Sequence, residues 1–207
     1  LSGSSPSQFV NVDGTLFFYA IDDVHGGELW KSDGTEAGTQ LVADVYSGTN
    51  YALSQGLFSY GGLLYFNARS DGSNGDLWRT DGTEAGTFRL TNLSYGNVRP
   101  RDLIELNGKV FFTTIGLSDK RELWSTDGTT AGTSRLVDLE LTNDAFSGTL
   151  VNVNGFLYFT AGDGTNGSEL WRTDGTAAGT QLVKDIFAGG SSSPANLVNV
   201  DSTLYFA

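Results

Sequence analysis

Short stretches of alternating apolar and polar residues recur along the chain, and each is paired with a second stretch across a two-residue turn. The segment "FVNV" (9–12) runs into Asp13-Gly14, and "TLFFYA" (15–20) leads away from it. The same pattern returns as "SYGGLLYF" (59–66), "ELNGKVFF" (105–112) and "NVNGFLYF" (152–159). Such turn residues tolerate the positive φ of a tight hairpin. The pattern therefore predicts a β-hairpin at each place.

Two further strands are predicted after each hairpin. A loop of seven residues reaches "ELWKS" (28–32), and after "DGTEAG" the segment "TQLVADV" (39–45) closes the unit. Four short antiparallel strands per unit, without a helical pattern, are typical of a propeller blade. We predict an all-β fold, namely a β-propeller or propeller fragment of four-stranded antiparallel blades. A β-solenoid and an ordinary sandwich are the alternatives.

The repeat has a period of about 47 residues, close to that of known propeller blades. The predicted units are 6–53, 54–99, 100–146 and 147–193, and residues 194–207 repeat the first hairpin, so that 1–207 forms one repeat domain of four full repeats and a partial fifth. An unpaired last hairpin would expose strand edges. We therefore expect neighbouring repeats of a longer chain to cover it, or a homo-oligomer if the piece exists alone.

A twelve-residue motif is almost unchanged in the four units. It reads "ELWKSDGTEAGT" (28–39), "DLWRTDGTEAGT" (76–87), "ELWSTDGTTAGT" (122–133) and "ELWRTDGTAAGT" (169–180). A catalytic site needs one constellation, so a fourfold motif indicates architecture, with catalysis as the minority alternative. An Asp here can accept hydrogen bonds from backbone N–H groups two residues on, and a Trp can cover the gap between sheets. We interpret the Asp residues as structural turn clamps (Asp33, Asp81, Asp127, Asp174) and the Trp residues as blade-packing residues (Trp30, Trp78, Trp124, Trp171).

The pattern ELWxxDGTxxGT resembles the bacterial tandem repeat of that description, which occurs in large, often secreted or surface-attached proteins and is taken to build β-propellers. The resemblance covers essentially the whole chain. It implies an extracellular or cell-surface repeat region that is not an enzyme. The family has no shared catalytic or ligand-binding residues to carry over.

Composition limits the classes of partner. Lys and Arg number 12 against 24 Asp and Glu, and the formal net charge of -12 repels nucleic acid and anionic membrane surfaces. No run of 18 apolar residues is present, so no membrane span is predicted. The absence of Cys excludes disulfides, zinc–thiolate sites and Cys nucleophiles. The chain also lacks Met, so we expect it to be a mature or excised piece of a longer protein.

The loop before each Trp strand is rich in oxygen ligands on a flexible backbone. Calcium takes six to eight oxygens, and repeats two and four supply candidate ligands (Asp71, Asn74, Asp76, Asp163, Asn166, Glu169). Repeat three breaks the pattern with "LSDKRE" (117–122), whose basic residues would oppose a cation. Ordinary Gly/Asn turns are the alternative. Apart from calcium, no cofactor is expected.

The links between units diverge most and carry exposed aromatic and amide residues. These are candidates for stacking on sugar rings and for bonding their hydroxyls (Tyr46, Tyr51, Tyr95, Phe146, Phe187, Asn50, Asn97, Asn143). The alternative is that the aromatic residues merely cap the sheet below.

The leading functional hypothesis is a non-catalytic extracellular module for binding, adhesion or structural spacing in a larger bacterial protein, with a protein or glycan as its surface ligand. A glycan-binding, lectin-like propeller is second, and a propeller glycosidase is third, because paired carboxylates can be assembled in space from distant residues. The only His, His25, lies in a Gly-rich loop that offers little for a Ser-His-Asp triad.

Overall fold

The computed structural model describes residues 3–70, 75–93, 100–115, 121–141 and 150–207. Every regular element in these residues is a β-strand. Contacts divide the chain into two compact units, Leu1–Pro100 and Arg101–Ala207, and each is described by itself. In the described residues no helix is long and apolar enough to span a membrane.

The first unit holds two blades, each a sheet of four antiparallel strands in chain order. The first blade comprises β1 (Ser7–Val12), β2 (Thr15–Asp22), β3 (Gly26–Ser32) and β4 (Gln40–Ala43). The second comprises β5 (Leu53–Tyr60), β6 (Leu63–Ala68), β7 (Asp76–Thr80) and β8 (Phe88–Arg89). The turn between β1 and β2 is Asp13-Gly14, with φ of 47° and 87°, as its residue types predict.

The second unit repeats this order and ends in a hairpin. The third blade comprises β9 (Arg101–Leu106), β10 (Lys109–Ile115), β11 (Arg121–Thr126) and β12 (Ser134–Leu141). The fourth comprises β13 (Val151–Val153), β14 (Phe156–Gly162), β15 (Ser168–Thr173) and β16 (Gln181–Lys184), and the hairpin comprises β17 (Val198–Val200) and β18 (Thr203–Tyr205). The predicted all-β fold of propeller-type blades is thus confirmed, with four blades and the hairpin of a fifth.

One departure from separate blades occurs in the second unit. Strand β12 has 8 residues, whereas β4 and β16 have 4 each, and its far end pairs with β14 at Glu140 and Gly162. Strand β13 has only 3 residues and leaves this part of β14 uncovered. The third and fourth blades therefore merge into one eight-stranded sheet.

Each unit has a core cluster that lies between its two blades. The buried residues of the first unit's cluster include Val12, Phe17, Leu29, Leu64 and Phe66. Those of the second include Leu106, Phe111, Leu123, Leu157, Phe159 and Trp171. In both, the hairpin of one blade packs against the second strand of the next, a contact that we call the blade interface. Burying one such side chain contributes roughly 1.5 to 3 kcal/mol.

The blade interface predicts a contrast between two phenylalanines. Phe111 is fully buried, whereas Phe9 is 59% exposed. We expect Phe111→Ala to lower the free energy of unfolding by roughly 3 to 5 kcal/mol, because it removes apolar contacts and leaves a cavity. Phe9→Ala, the control, should cost under about 1 kcal/mol. Urea unfolding of both variants tests this, and equal losses would contradict the interface.

Candidate functional site

The turn that follows each Trp strand is held by the motif aspartate. Asp33 accepts through Oδ1 from the backbone N–H of Thr35 at 2.9 Å and from the Thr35 hydroxyl at 2.7 Å. The Thr35 hydroxyl oxygen in turn accepts from the Gly38 N–H at 3.0 Å. The other repeats form the same bonds, with Asp81, Thr83 and Gly86; Asp127, Thr129 and Gly132; and Asp174, Thr176 and Gly179. The Asx-turn expected from the sequence is present in all four.

The same aspartate explains the second glycine of the motif. A Cβ placed on Gly38 would overlap the carboxylate of Asp33, and the equivalent glycine of each other repeat meets its own aspartate in the same way. The Thr35 hydroxyl, and after it the Thr35 amide, lowers the pKa of Asp33. A carboxylate that stays ionised and is already hydrogen-bonded is a poor proton donor near neutral pH. Its geometry therefore supports a structural role.

The carboxylate at the start of the motif has a different partner. Glu28 is completely buried, and it accepts from the backbone N–H of Tyr46 at 3.0 Å and of Val45 at 3.3 Å. These amides belong to the loop that leads from β4 to the next blade, which we call the crossover loop. Glu28 therefore holds the first crossover loop to its own blade.

Repeats two and four use the same device. Glu169 accepts from the Ser192 N–H at 2.9 Å, from the Ser192 hydroxyl and from the Ile186 N–H at 3.1 Å. Asp76 accepts from the Leu93 N–H and the Thr91 hydroxyl, both at 2.7 Å. Sequence analysis missed this role and named Glu169 and Asp76 as calcium ligands. The signal was there, because every repeat has an acid beside the buried Leu of its third strand.

Repeat three departs from this arrangement. Glu122 accepts from the Trp124 indole N–H and from the Arg135 guanidinium, each at 3.0 Å. The other three motif tryptophans have buried indole N–H groups without a hydrogen-bond partner in the described part of the chain. Trp78 and Trp171 pack against the core clusters between blades, as predicted, and Trp124 stacks on Phe112 with ring centroids 6.1 Å apart.

Glu28 and Glu169 occupy equivalent positions but have opposite pKa shifts. Burial raises the pKa of Glu28 to about 7, and the nearby Asp44 carboxylate adds to the rise. Burial acts on Glu169 too, but the hydroxyl and amide of Ser192 outweigh it and lower the pKa of Glu169. Tyr51 stands where Ser192 stands in the fourth repeat, so Glu28 lacks an equivalent serine hydroxyl.

The remaining calcium candidates lie in two places. Asp163 accepts from the backbone N–H groups of Thr165 and Asn166 at 2.8 Å, and from the Asn166 side-chain amide at 2.7 Å. Asp71 and Asn74 lie outside the described residues. The Asp163 loop is thus closed by its own hydrogen bonds, and calcium binding stays a prediction.

The crossover aromatic residues separate into two kinds. Tyr46 is half-buried and packs against the first core cluster, which matches the alternative that it caps the sheet. Tyr51 is 48% exposed and Phe187 is 60% exposed. Each rests on a glycine, because a Cβ on Gly27 would overlap the Tyr51 ring and one on Gly190 would overlap the Phe187 ring. Each is thus a flat ring backed by glycine and partly open to solvent.

The other crossover candidates add little geometry. Asn50 is exposed, and its side-chain amide donates to the Ser47 carbonyl at 3.0 Å. Four of the candidates, Tyr95, Asn97, Asn143 and Phe146, lie outside the described residues. The only histidine, His25, is paired through Nδ1 with Asp22 at 2.8 Å, and this hydrogen bond raises the pKa of His25.

Removing a turn clamp should destabilise the protein. We expect Asp127→Ala to lower the free energy of unfolding by roughly 1 to 2 kcal/mol, because the amide and hydroxyl of Thr129 lose their acceptor. Asp127→Asn is the matched control, because its amide oxygen can still accept, and it should recover part of the loss. Urea unfolding measures both variants, and an unchanged midpoint for Asp127→Ala would contradict the clamp.

The two motif glutamates should respond to pH in opposite senses. Because the pKa of Glu28 is raised from 4.5 to about 7 on folding, its stabilising contribution is present below pH 4.5 and lost as the pH rises to about 7. That loss amounts to at most about 3 kcal/mol. Glu28→Gln, which resembles the protonated acid, should remove this dependence. Because the pKa of Glu169 is lowered, Glu169→Gln should instead destabilise the protein at pH 7.

Unfolding free energies at pH 5 and pH 8 test this pair. The His25–Asp22 pair also loses stabilisation as the pH rises, since the pKa of His25 is raised, so the dependence left in Glu28→Gln reports that pair. A Glu28→Gln variant that keeps the full wild-type pH dependence would show that Glu28 is ionised throughout.

Comparisons with known proteins show no assignment of this chain. No family model and no curated protein matches it. Among solved structures, it is similar to a puromycin hydrolase (19% identity, TM-score 0.49, covering 100% of this chain and 36% of that one) and to prolyl endopeptidases (11%, 0.46, 82% and 24%). It is also similar to an alpha-L-arabinofuranosidase from Clostridium thermocellum (12%, 0.38, 97% and 80%). The chain thus spans about a quarter to a third of the first two enzymes, and no activity follows from these similarities.

Proposed function

We propose that the chain is a non-catalytic repeat module that serves binding, adhesion or structural spacing in a larger bacterial secreted or surface protein. One observation carries this proposal: the described carboxylates of the shared motif hold the protein's own backbone and side chains. Asp33 and its equivalents hold the turns. Glu28, Asp76 and Glu169 hold the chain after the fourth strand. The motif's chemistry is thus used for architecture.

The crossover loops are the parts of the repeat best suited to binding. Their sequences differ between repeats, while buried glutamates anchor the first and fourth of them. Variable loops on a rigid scaffold are a common place for recognition. An extracellular location is supported by the resemblance of the motif to repeats of secreted and surface proteins.

A glycan is the ligand class that the exposed aromatic residues favour. The Tyr51 and Phe187 rings lie on glycine backbone and are 48% and 60% exposed. A supported ring can stack on the apolar face of a sugar with little loss of side-chain entropy, since it is already held. This lectin-like function is our second candidate.

A propeller glycosidase, the third candidate, receives less support. Such an enzyme needs one carboxyl group with a raised pKa that reaches the substrate. Glu28 has a pKa raised to about 7, but it is completely buried and accepts from two backbone amides. The turn aspartates have lowered pKa values instead.

A glycan array probed with the wild type and with Tyr51→Ala and Phe187→Ala tests the binding proposal. Each substitution should weaken glycan binding by roughly tenfold or more, because it removes a supported stacking surface. Ile186→Ala is the control, since Ile186 is adjacent to Phe187 and 45% exposed but is aliphatic. Equal loss in the control would contradict stacking, and hydrolysis of chromogenic glycosides by the wild type would contradict a non-catalytic module.

A further inference from the structure

The blade interface has the same geometry in both units. In the first unit, Phe17 lies against the turn of the next blade, with its Cζ 3.1 Å from where a Cβ of Gly82 would stand. In the second unit, the Cζ of Phe111 lies 3.0 Å from the same point on Gly175. Each phenylalanine is buried. A hairpin aromatic under the motif glycine of the following blade is thus the repeated contact.

The last hairpin presents one half of such an interface uncovered. Tyr205 occupies the position of Phe17 but is 57% exposed, against 4% for Phe17. Val200 occupies the position of Val12 and is 48% exposed, against 9%. A tyrosine can be covered at this position, since the equivalent Tyr65 is only 2% exposed.

The first blade presents the other half uncovered. Leu16 is 37% exposed, whereas its equivalents Leu64 and Leu157 are fully buried. No described residue lies within 4 Å of the point where a Cβ of Gly34 would stand, although Gly34 is the equivalent of Gly82 and Gly175.

A ladder of asparagines marks the same two surfaces. The Asn152 side-chain amide donates to the Glu105 carbonyl at 3.4 Å, and that of Asn199 donates to the Asn152 carbonyl at 2.8 Å. Asn11 is their equivalent in the first blade, and its Oδ1 accepts from the Gly14 N–H within its own hairpin. By the same register, the acceptor for the Asn11 amide is the Asn199 carbonyl.

We propose that the last hairpin of one copy of this chain docks on the first blade of a second copy. Tyr205 lies under Gly34 as Phe17 lies under Gly82, and Asn11 donates to Asn199. The occupant is a second copy because this chain carries both halves, in the register of its internal interfaces. The contact is heterologous, so repeated association forms a ring or a filament. The inference does not depend on glycan binding.

Sedimentation velocity over a concentration series tests the association. We expect the wild type to self-associate, and Tyr205→Asp and Leu16→Asp each to weaken association by roughly tenfold or more, because each places a charge in an apolar contact. Val24→Asp is the control, since Val24 is apolar and 66% exposed but outside both surfaces. Circular dichroism establishes that each variant is folded. A folded wild type that stays monomeric, or equal weakening by the control, would overturn the proposal.

Cross-linking distinguishes a second copy from closure within one chain. The chain has no Cys, so Asn11→Cys and Asn199→Cys each introduce one thiol. With a short bis-maleimide, a mixture of the two variants should give covalent dimers, whereas each variant alone should give few. Dimers from one variant alone would indicate a symmetric contact instead. Cross-linking confined to single chains of the double variant would show that the chain closes on itself. Either result would overturn head-to-tail docking.

Discussion

The hydrogen-bonded turn after each Trp strand is the contact on which the rest of the structure depends. Its aspartate binds the amide and hydroxyl of a threonine two residues on, and this closes the hairpin of the third and fourth strands. The turn also presents Gly82 in the first unit and Gly175 in the second, each against a phenylalanine of the preceding blade. One local motif thus shapes the blade and joins it to its neighbour.

A second carboxylate extends this order to the loops. Glu28 and Glu169 are both buried and both hold a crossover loop, but only Glu169 receives a serine hydroxyl. A buried carboxylate with fewer hydrogen bonds favours its protonated form, so the pKa of Glu28 rises while that of Glu169 falls. Equivalent motif residues therefore have different electrostatics because the variable loop supplies different donors.

This division between constant motif and variable loop bears on function. Because the shared carboxylates hold backbone, the features that differ between repeats are the exposed side chains of the crossover loops, such as Tyr51 and Phe187. Both rings lie on glycine, which keeps them in place without burying them. A scaffold of this kind can change its ligand by changing loops, while its blades keep their packing.

The sequence by itself determined what depends on neighbours in the chain: the hairpin strands, the Asp13-Gly14 turn, the Asp33 clamp and the repeat period. These rest on side-chain alternation and on hydrogen bonds that span a few residues. Tertiary structure alone decided the merging of two blades through the long β12, the inward packing of Tyr46 and the role of Glu28. Each depends on a partner 17 or more residues away, such as Val45 for Glu28, and no local pattern encodes which distant amide a buried carboxylate will meet.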